Sequence, residues 1–202
     1  MTVPLFSTAY FPPVAYVAAM MPHGEALVEV KETFPKQTYR NRAVIMTAGG
    51  VRALTVPVVR ENHSRTEEVA IDYSVRWNVV HLRTLTAAYA ASPYWLYYQD
   101  DIERLLMLRY DRLVDLNQAV TEWLLRCLKI GCRLSFTADY KAEAVADYRN
   151  CFSPKVPAPA DRFPAYCQVF ADRLPFAPNL SVLDVLFNLG PEAADYLKNC
   201  QP

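Results

Sequence analysis

Glycine is scarce in this chain, at 5 of 202 residues. The phosphate loop of nucleoside triphosphatases and the fingerprint of dinucleotide-binding folds both need closely spaced glycines, because their backbone must approach a phosphate. Neither pattern occurs, and the Gly-x-Ser-x-Gly elbow of serine hydrolases is absent as well. The sequence therefore gives little support for nucleophilic catalysis.

An excess of charge of either sign is also lacking, since 21 lysine and arginine residues balance 21 aspartate and glutamate residues. Proteins that bind nucleic acids through the phosphate backbone usually carry a strongly basic face. We therefore expect no nucleic acid among the partners of this protein.

Cysteine and histidine do not occur at the spacings of a metal site. The three histidines form no His-x-x-x-His pair and no Cys-x-x-Cys pair is present, so we predict no structural metal ion. An odd number of cysteines argues against a complete disulfide framework and favours free thiols in a reducing cytosol. The five cysteines are Cys127, Cys132, Cys151, Cys167 and Cys200.

Long hydrophobic runs are missing. The apolar stretch from Val14 to Met21 is far shorter than the roughly 20 residues of a membrane-spanning helix. The N-terminus also lacks the basic segment and apolar run of a secretory signal. A composition of 52% hydrophobic and 21% charged residues is that of a folded chain with a sizeable core. These features predict a cytoplasmic protein without a membrane span.

Apolar runs separated by turn-forming residues predict one α/β domain, with a mixed, mostly N-terminal sheet, helices packed on it and a helical C-terminal half. We expect a sheet-rich part over residues 1–72, a helical part over 73–150, and a surface proline-rich connector with a docked helical tail over 151–202. Strands are predicted at Val3–Thr8, Ala26–Val30, Ala43–Thr47, Val51–Val59, Glu68–Asp72 and Leu134–Thr137. Helices are predicted at Pro13–Met21, Tyr73–Ser92, Tyr94–Met107, Asp111–Ile130, Lys141–Arg149, Val182–Asn188 and from Pro191 onward.

The segment from Lys36 to Arg42 lies between two predicted strands and is rich in cations and hydrogen-bonding groups. A polar connection held by a rigid sheet is a common place for a binding site, and arginine and lysine hold phosphate or carboxylate groups. The predicted partner is an anionic, polar small molecule. An alternative interpretation is a solvated loop whose cations pair with Glu29 and Glu32. The residues of this segment that we predict to bind the ligand are Lys36, Tyr39, Arg40, Asn41 and Arg42.

Further candidate residues lie outside this segment. Tyr10 and Phe11 follow the first strand, and ligands of open α/β sheets collect beyond the carboxyl ends of strands. Thr55 is expected to help orient the ligand. His81 is a candidate base, because an ordinary histidine side chain titrates near neutrality, although a core histidine with one hydrogen bond is the common alternative. Glu32 is the second candidate proton carrier.

The order of these segments resembles the WbqC-like family of bacterial proteins, which is linked with O-antigen and other surface-polysaccharide gene clusters. The resemblance implies modification of nucleotide-activated amino sugars, such as acylation of the amine. It covers nearly the whole chain. The residues that carry it are Tyr10-Phe-Pro12, Lys36, Tyr39, Asn41, Arg42, Leu54-Thr-Val-Pro57, Trp77, His81, Tyr89, Ser92-Pro-Tyr94, Pro178-Asn-Leu-Ser-Val-Leu-Asp184, Asn188 and Gly190-Pro191.

The chain departs from the family pattern at three places. Thr8 and Ala9 stand where the family has Gln-Pro, and Ala15 stands where it has glycine. Val30 and Lys31 replace two adjacent aspartates, so a base or metal ligand there is lost or has moved to a neighbouring glutamate. Two hypotheses follow: a transferase acting on a nucleotide-linked sugar, or a non-catalytic binding or assembly protein derived from such an enzyme.

Overall fold

A short parallel sheet forms the centre of the N-terminal part in the computed structural model of this protein, which describes residues 2–156 and 158–201. Strand β2 (Glu25–Glu29) lies between β1 (Leu5–Ser7) and β7 (Arg133–Phe136), and both pairings are parallel. The three strands are confirmed, with slightly different ends. Every residue of β1 is buried, as expected for a parallel sheet that is covered on both faces.

Helix α1 (Val14–Met20) connects β1 to β2, and all seven of its residues are buried. It begins directly after Pro13, whose missing backbone N–H costs little at a helix start. The Tyr16 hydroxyl donates to the carbonyl of Ser7 at 2.7 Å. This contact ties the helix to the end of β1, where the polypeptide turns towards the candidate site.

The remaining strands pair outside the parallel sheet. In the described residues, β3 (Arg42–Thr47) and β4 (Gly50–Thr55) form an antiparallel hairpin, and β5 (Val58–Val59) pairs with β6 (Ala70–Ile71). The predicted strand Val51–Val59 is thus broken in two, because Pro57 has no N–H to donate to a ladder. Small sheets therefore replace the single mixed sheet expected from the sequence.

Three long helices follow, and their predicted positions are confirmed with shorter ends: α2 (Trp77–Tyr89), α3 (Trp95–Met107) and α4 (Leu113–Cys127). Helix α4 buries nine of its residues, including Trp123 and Leu124, because its apolar residues recur at helical spacing. The main core joins these helices to the residues after β1 and to the tail. The α/β class is therefore confirmed.

The predicted helix from Lys141 to Arg149 is wrong, since no helical turn is present there. The segment instead runs beside β1: the amide of Leu5 donates to Ala146 and the amide of Tyr148 donates to Leu5, both at 2.8 Å. Backbone groups engaged in this way cannot form the ladder of a helix.

The tail packs against α1 and the hairpin. Its helices are α5 (Val182–Leu189) and α6 (Ala193–Lys198), which confirms the predicted positions. Ser181 caps α5 by accepting from the amide of Leu183 at 3.4 Å. Asp184 does not complete a capping box. Its buried carboxylate instead accepts hydrogen bonds from Tyr89 and Tyr166. The division at residues 72 and 150 stays a prediction, and Pro157 of the connector lies outside the described residues.

Candidate functional site

A polar cleft of about 530 Å³ opens at the carboxyl edge of the parallel sheet. Chain segments that leave β2 and β7 form its walls, which is the position where ligands bind in open α/β sheets. Tyr140 is 56% exposed, and the guanidinium carbon of Arg149 lies 5.6 Å from the centroid of its ring. The residues that line the cleft are Lys31, Glu32, Thr33, Pro35, Arg65, Tyr140 and Asn150.

Glu32 is the carboxylate of this cleft. Its Oε1 accepts a hydrogen bond of 2.7 Å from Nε of Arg40. Nη2 of Arg40 lies 2.7 Å from the same oxygen without forming a hydrogen bond. Oε2 of Glu32 accepts no hydrogen bond from the described residues, so one carboxylate oxygen is held and the other is available. Burial raises the pKa of Glu32, and the charge and hydrogen bond of Arg40 oppose that rise.

Arg40 is only 3% exposed. Asn117 on α4 anchors its backbone: Nδ2 of Asn117 donates to the carbonyl of Arg40 at 2.7 Å and to Oγ1 of Thr8 at 3.0 Å. The ends of β1 and of the segment 36–42 therefore meet on one side chain of α4. Such a fixed guanidinium holds the Glu32 carboxylate in one orientation.

Glu29 lies below the cleft and is fully buried. Its carboxylate accepts hydrogen bonds of 2.8 Å from Oγ1 of Thr137 and from the amide of Lys31, and one of 2.9 Å from the amide of Lys141. Nη1 of Arg149 lies 3.7 Å away. These contacts join the ends of β2 and β7, so Glu29 supports the cleft floor.

The three cations predicted to bind an anion occupy different surroundings. Arg40 is buried against Glu32, which is the pairing that the alternative interpretation gave for this residue. Lys36 is exposed and follows Pro35, which lines the cleft. Arg42 begins β3, and its buried Nε has no hydrogen-bond partner among the described residues. The segment therefore presents its cations separately.

Asn41 and Thr55 take part in the hairpin. Nδ2 of Asn41 donates to the carbonyl of Val56 at 2.9 Å, which holds the two sides of the hairpin together. Thr55 is exposed at the end of β4 and borders a second, smaller cavity of about 350 Å³ together with Trp77 and His81.

The predicted aromatic contacts form a buried cluster around His81. Oη of Tyr10 lies 2.9 Å from Nδ1 of His81, and both residues are buried. Phe11 is fully buried, with its ring tilted against that of Tyr10. Tyr39 accepts the amide of Tyr10 at 2.9 Å, and burial raises the pKa of Tyr39 to about 12. The structure thus brings Tyr10, Phe11, Tyr39 and His81 together, and none of these four lines the cleft of Glu32.

Burial lowers the pKa of His81 to about 4, against a smaller opposing contribution from a hydrogen bond with the Thr55 backbone. In the unfolded chain a histidine titrates near pH 6.5. The contribution of neutral His81 to the unfolding free energy is therefore fully present above that pH, and it is lost as the pH falls towards 4. The difference between these two pKa values corresponds to about 3 kcal/mol of unfolding free energy.

We expect His81→Gln to flatten the pH dependence of the unfolding free energy between about pH 4 and pH 6.5, measured by urea denaturation. His63→Gln, at an exposed position, should leave the slope unchanged, and an unchanged slope in His81→Gln would contradict the prediction.

Comparison with known proteins shows to which protein family the chain belongs. The model of the WbqC-like protein family matches residues 8–151. This chain belongs to the WbqC-like family. An uncharacterised protein of Mycobacterium tuberculosis strain H37Rv, Rv1507c, is 28% identical to it over 222 residues, covering 95% of this chain and 93% of the relative. No solved structure matches this WbqC-like protein.

The cleft of this WbqC-like protein includes residues that the sequence alone did not single out. Tyr140 follows β7, so the rule that ligands collect at the carboxyl ends of strands could have found it. Arg65 reaches the cleft through a bridge between Thr33 and Arg65, and Asn150 belongs to the segment before the connector. Neither of these two carries a sequence signal.

Lys31 is not an isolated cation in this WbqC-like protein. Its ammonium lies 2.8 Å from Oε2 of Glu67. In residues 2–156 and 158–201, no group of three His, Cys, Asp or Glu side chains is arranged to hold a metal ion. None of the helices in the same residues has both the length and the apolar composition that a membrane-spanning helix needs.

Proposed function

We propose that this protein is a transferase acting on the amine of a nucleotide-activated amino sugar, or a similar anionic metabolite, in surface-polysaccharide metabolism. The observation that carries the proposal is the carboxylate of Glu32. One of its oxygens is fixed by a buried guanidinium, and the other is available in a polar cleft at the carboxyl edge of the sheet. Membership of the WbqC-like family supports the proposed substrate class, and the position of Glu32 in the cleft supports its proposed role as the reacting group.

Glu32 would act as the proton acceptor. When an amine attacks an acyl thioester, a bond forms between nitrogen and the acyl carbon, and the bond to sulfur breaks. The nitrogen must also lose a proton, which Glu32 would take and pass to the leaving thiolate. A carboxylate whose pKa is raised by burial is a better base than an exposed one. Arg40 would keep it correctly oriented.

Cations at the cleft would bind the phosphate groups. Arg65 is exposed and lines the cleft, and Lys36 is exposed on the segment that enters it at Pro35. Arginine offers a planar fork to phosphate, and lysine a point charge. Arg42, Asn41 and Thr55 remain proposed contacts on the hairpin side. His81 is the second candidate proton carrier, but a histidine with its pKa near 4 is a weak base at neutral pH.

Glu32→Gln tests the proposal directly, because glutamine keeps the shape and removes the base. We expect binding of a uridine diphosphate-linked amino sugar, measured by calorimetry, to change less than about threefold. Amide formation from an acyl thioester, followed by mass spectrometry, should fall about 100-fold. Glu103→Gln, at an exposed position on α3, is the matched control and should match the wild type. Full activity in Glu32→Gln, or absence of sugar-nucleotide binding to the wild type, would refute the assignment.

A second candidate function is binding without catalysis. The observation that favours it is Lys31, which stands at a family aspartate position and is paired with Glu67. In that case the wild type would bind the sugar nucleotide, while no acyl thioester of any chain length would give an amide product. Detection of a product would exclude this candidate.

A further inference from the structure

A third cavity adjoins the polar cleft and is of a different character. It has a volume of about 470 Å³ and lies between α1, the segment after Tyr148 and the proline-rich connector. Tyr148, Phe152 and Phe163 contribute aromatic rings to its lining. Asn150 lines both this cavity and the cleft of Glu32, so one ligand can extend from the first space into the second.

Three parallel rings lead from the core to this cavity. The rings of Phe6 and Tyr148 are stacked with centroids 4.8 Å apart and an interplanar angle of 9°. Those of Tyr148 and Phe152 follow at 6.4 Å and 3°. Phe6 is fully buried, whereas Tyr148 and Phe152 are half-buried and line the cavity. The core thus holds the rings of Tyr148 and Phe152 in parallel planes at the wall of the cavity. Planar heterocycles stack on aromatic rings of this kind.

Polar groups around these rings are available for the edge of such a heterocycle. Oδ1 of Asn179 accepts the amide of Ala15 at 2.8 Å, whereas its NH₂ group donates to no residue of the described chain. Arg162 is exposed, lines the same cavity and forms no ion pair within residues 2–156 and 158–201. An aliphatic chain would use none of these groups. A nucleobase attached to phosphates would use both the NH₂ group of Asn179 and the guanidinium of Arg162.

We propose that this cavity binds the nucleobase of a nucleoside diphosphate, with its ring against Tyr148 and Phe152. Arg162 lies beside the phosphate nearer the base, and the second phosphate reaches the cations of the cleft. The inference rests on the proposed function, because it locates another part of the same substrate. The base occupies the aromatic cavity, and the attached sugar passes Asn150 into the cleft of Glu32. Nucleotide recognition here needs no glycine-rich loop, which agrees with the low glycine content of the chain.

The first test compares ring-bearing and ring-free probes. Calorimetric titration with uridine, thymidine and guanosine diphosphates should show binding, and pyrophosphate should bind at least tenfold more weakly. Phe152→Leu keeps an apolar side chain and removes the ring face, so it should weaken nucleotide binding five- to tenfold. Phe136→Leu, on the partly exposed end of β7 and outside this cavity, should leave it unchanged. Equal binding of pyrophosphate, or an unchanged affinity in Phe152→Leu, would overturn the proposal.

The second test uses the wild type and does not depend on a folded variant. Cys151 is exposed and lines the cavity, whereas Cys167 is exposed and is not among its lining residues. A nucleoside diphosphate should slow alkylation of Cys151 at least fivefold and leave the rate at Cys167 unchanged. Protection of neither cysteine, or stronger protection of Cys151 by octanoate than by nucleotide, would refute the nucleobase site.

The two proposals fail separately. Full turnover in Glu32→Gln together with protection of Cys151 by nucleotide would refute Glu32 as the proton acceptor and support the nucleobase site. Loss of turnover in Glu32→Gln without protection of Cys151 would support the transferase proposal and refute the nucleobase site.

Discussion

Arg149→Met is expected to lower the free energy of unfolding by roughly 3–5 kcal/mol, the usual cost of breaking a buried ion pair from one side. The guanidinium is 7% exposed and lies 3.7 Å from the fully buried carboxylate of Glu29. Its Nε donates to Asp147 at 3.0 Å, and its Nη1 donates to the carbonyl of Lys141 at 2.6 Å. Methionine fills much of the volume but leaves these acceptors without their donor. Urea denaturation at pH 7 measures the loss.

The loss should also depend on pH. Hydrogen bonds from Arg149 hold the pKa of Asp147 below its usual range. Their contribution is therefore present above the unfolded pKa, about 3.9, and is lost as the pH falls through the folded value. The difference in unfolding free energy between the wild type and Arg149→Met should therefore become smaller below about pH 4. Arg173→Met is the control, because that side chain is 62% exposed and forms an exposed ion pair with Asp172, where a pair contributes little. Equal losses in the two variants would contradict this account.

Gly190→Ala is the second substitution with a large expected effect, a destabilisation of roughly 2–6 kcal/mol from backbone strain and overpacking together. Gly190 ends α5 with φ +52° and ψ −117°, a conformation that residues with a Cβ rarely adopt. An added Cβ would also lie 2.5 Å from Cδ1 of Tyr94. Cγ of the same ring would lie 2.6 Å from the added Cβ, so rotation of the ring about its Cβ–Cγ bond would not relieve the contact.

Gly131→Ala is the matched control. No atom lies within 4 Å of a Cβ added there, and its φ is outside the left-handed region. Thermal unfolding should show a fall of about 4–24 °C for Gly190→Ala, given about 2–4 °C per kcal/mol for a chain of this size. The control should stay within about 2 °C of the wild type. A Gly190→Ala protein as stable as Gly131→Ala would show that Tyr94 can move aside.

Much of the fold was predictable because its signals are local. Helices α2 to α4 follow from apolar residues at three- and four-residue spacing, and the hairpin follows from Gly49-Gly50 between two apolar runs. Gly190 and Pro191 mark the end of α5 for the same reason. In each case the residues that determine the element lie within it or directly beside it.

Elements that depend on distant partners were not predictable. The residues from Lys141 to Arg149 look like a short polar helix, yet their conformation is set by the backbone of Leu5 and by the carboxylate of Glu29. Arg40 shows the same effect at the site. Its position in a cationic segment allows either a ligand contact or a pair with Glu32. Its burial comes from the fold and decides for the pair. Spacing along a chain does not reveal burial of this kind.

The cleft itself combines residues from distant parts of the sequence. Glu32 and Tyr140 face one space because β7 pairs directly with β2. Once that pairing is known, the carboxyl-edge rule gives the site. Without it, the sequence offers candidate residues and no common location for them.

The pairing of β2 with β7 has a consequence for biosynthesis. Glu25 and Arg133 are partners that stand 108 positions apart. At about 5–20 residues per second, the ribosome takes roughly 5–20 s to supply the second partner after the first. During that interval the nascent β2 has one open edge, and such edges promote aggregation. We therefore expect the yield of soluble protein to depend on chaperones that bind nascent chains, and to rise at low growth temperature.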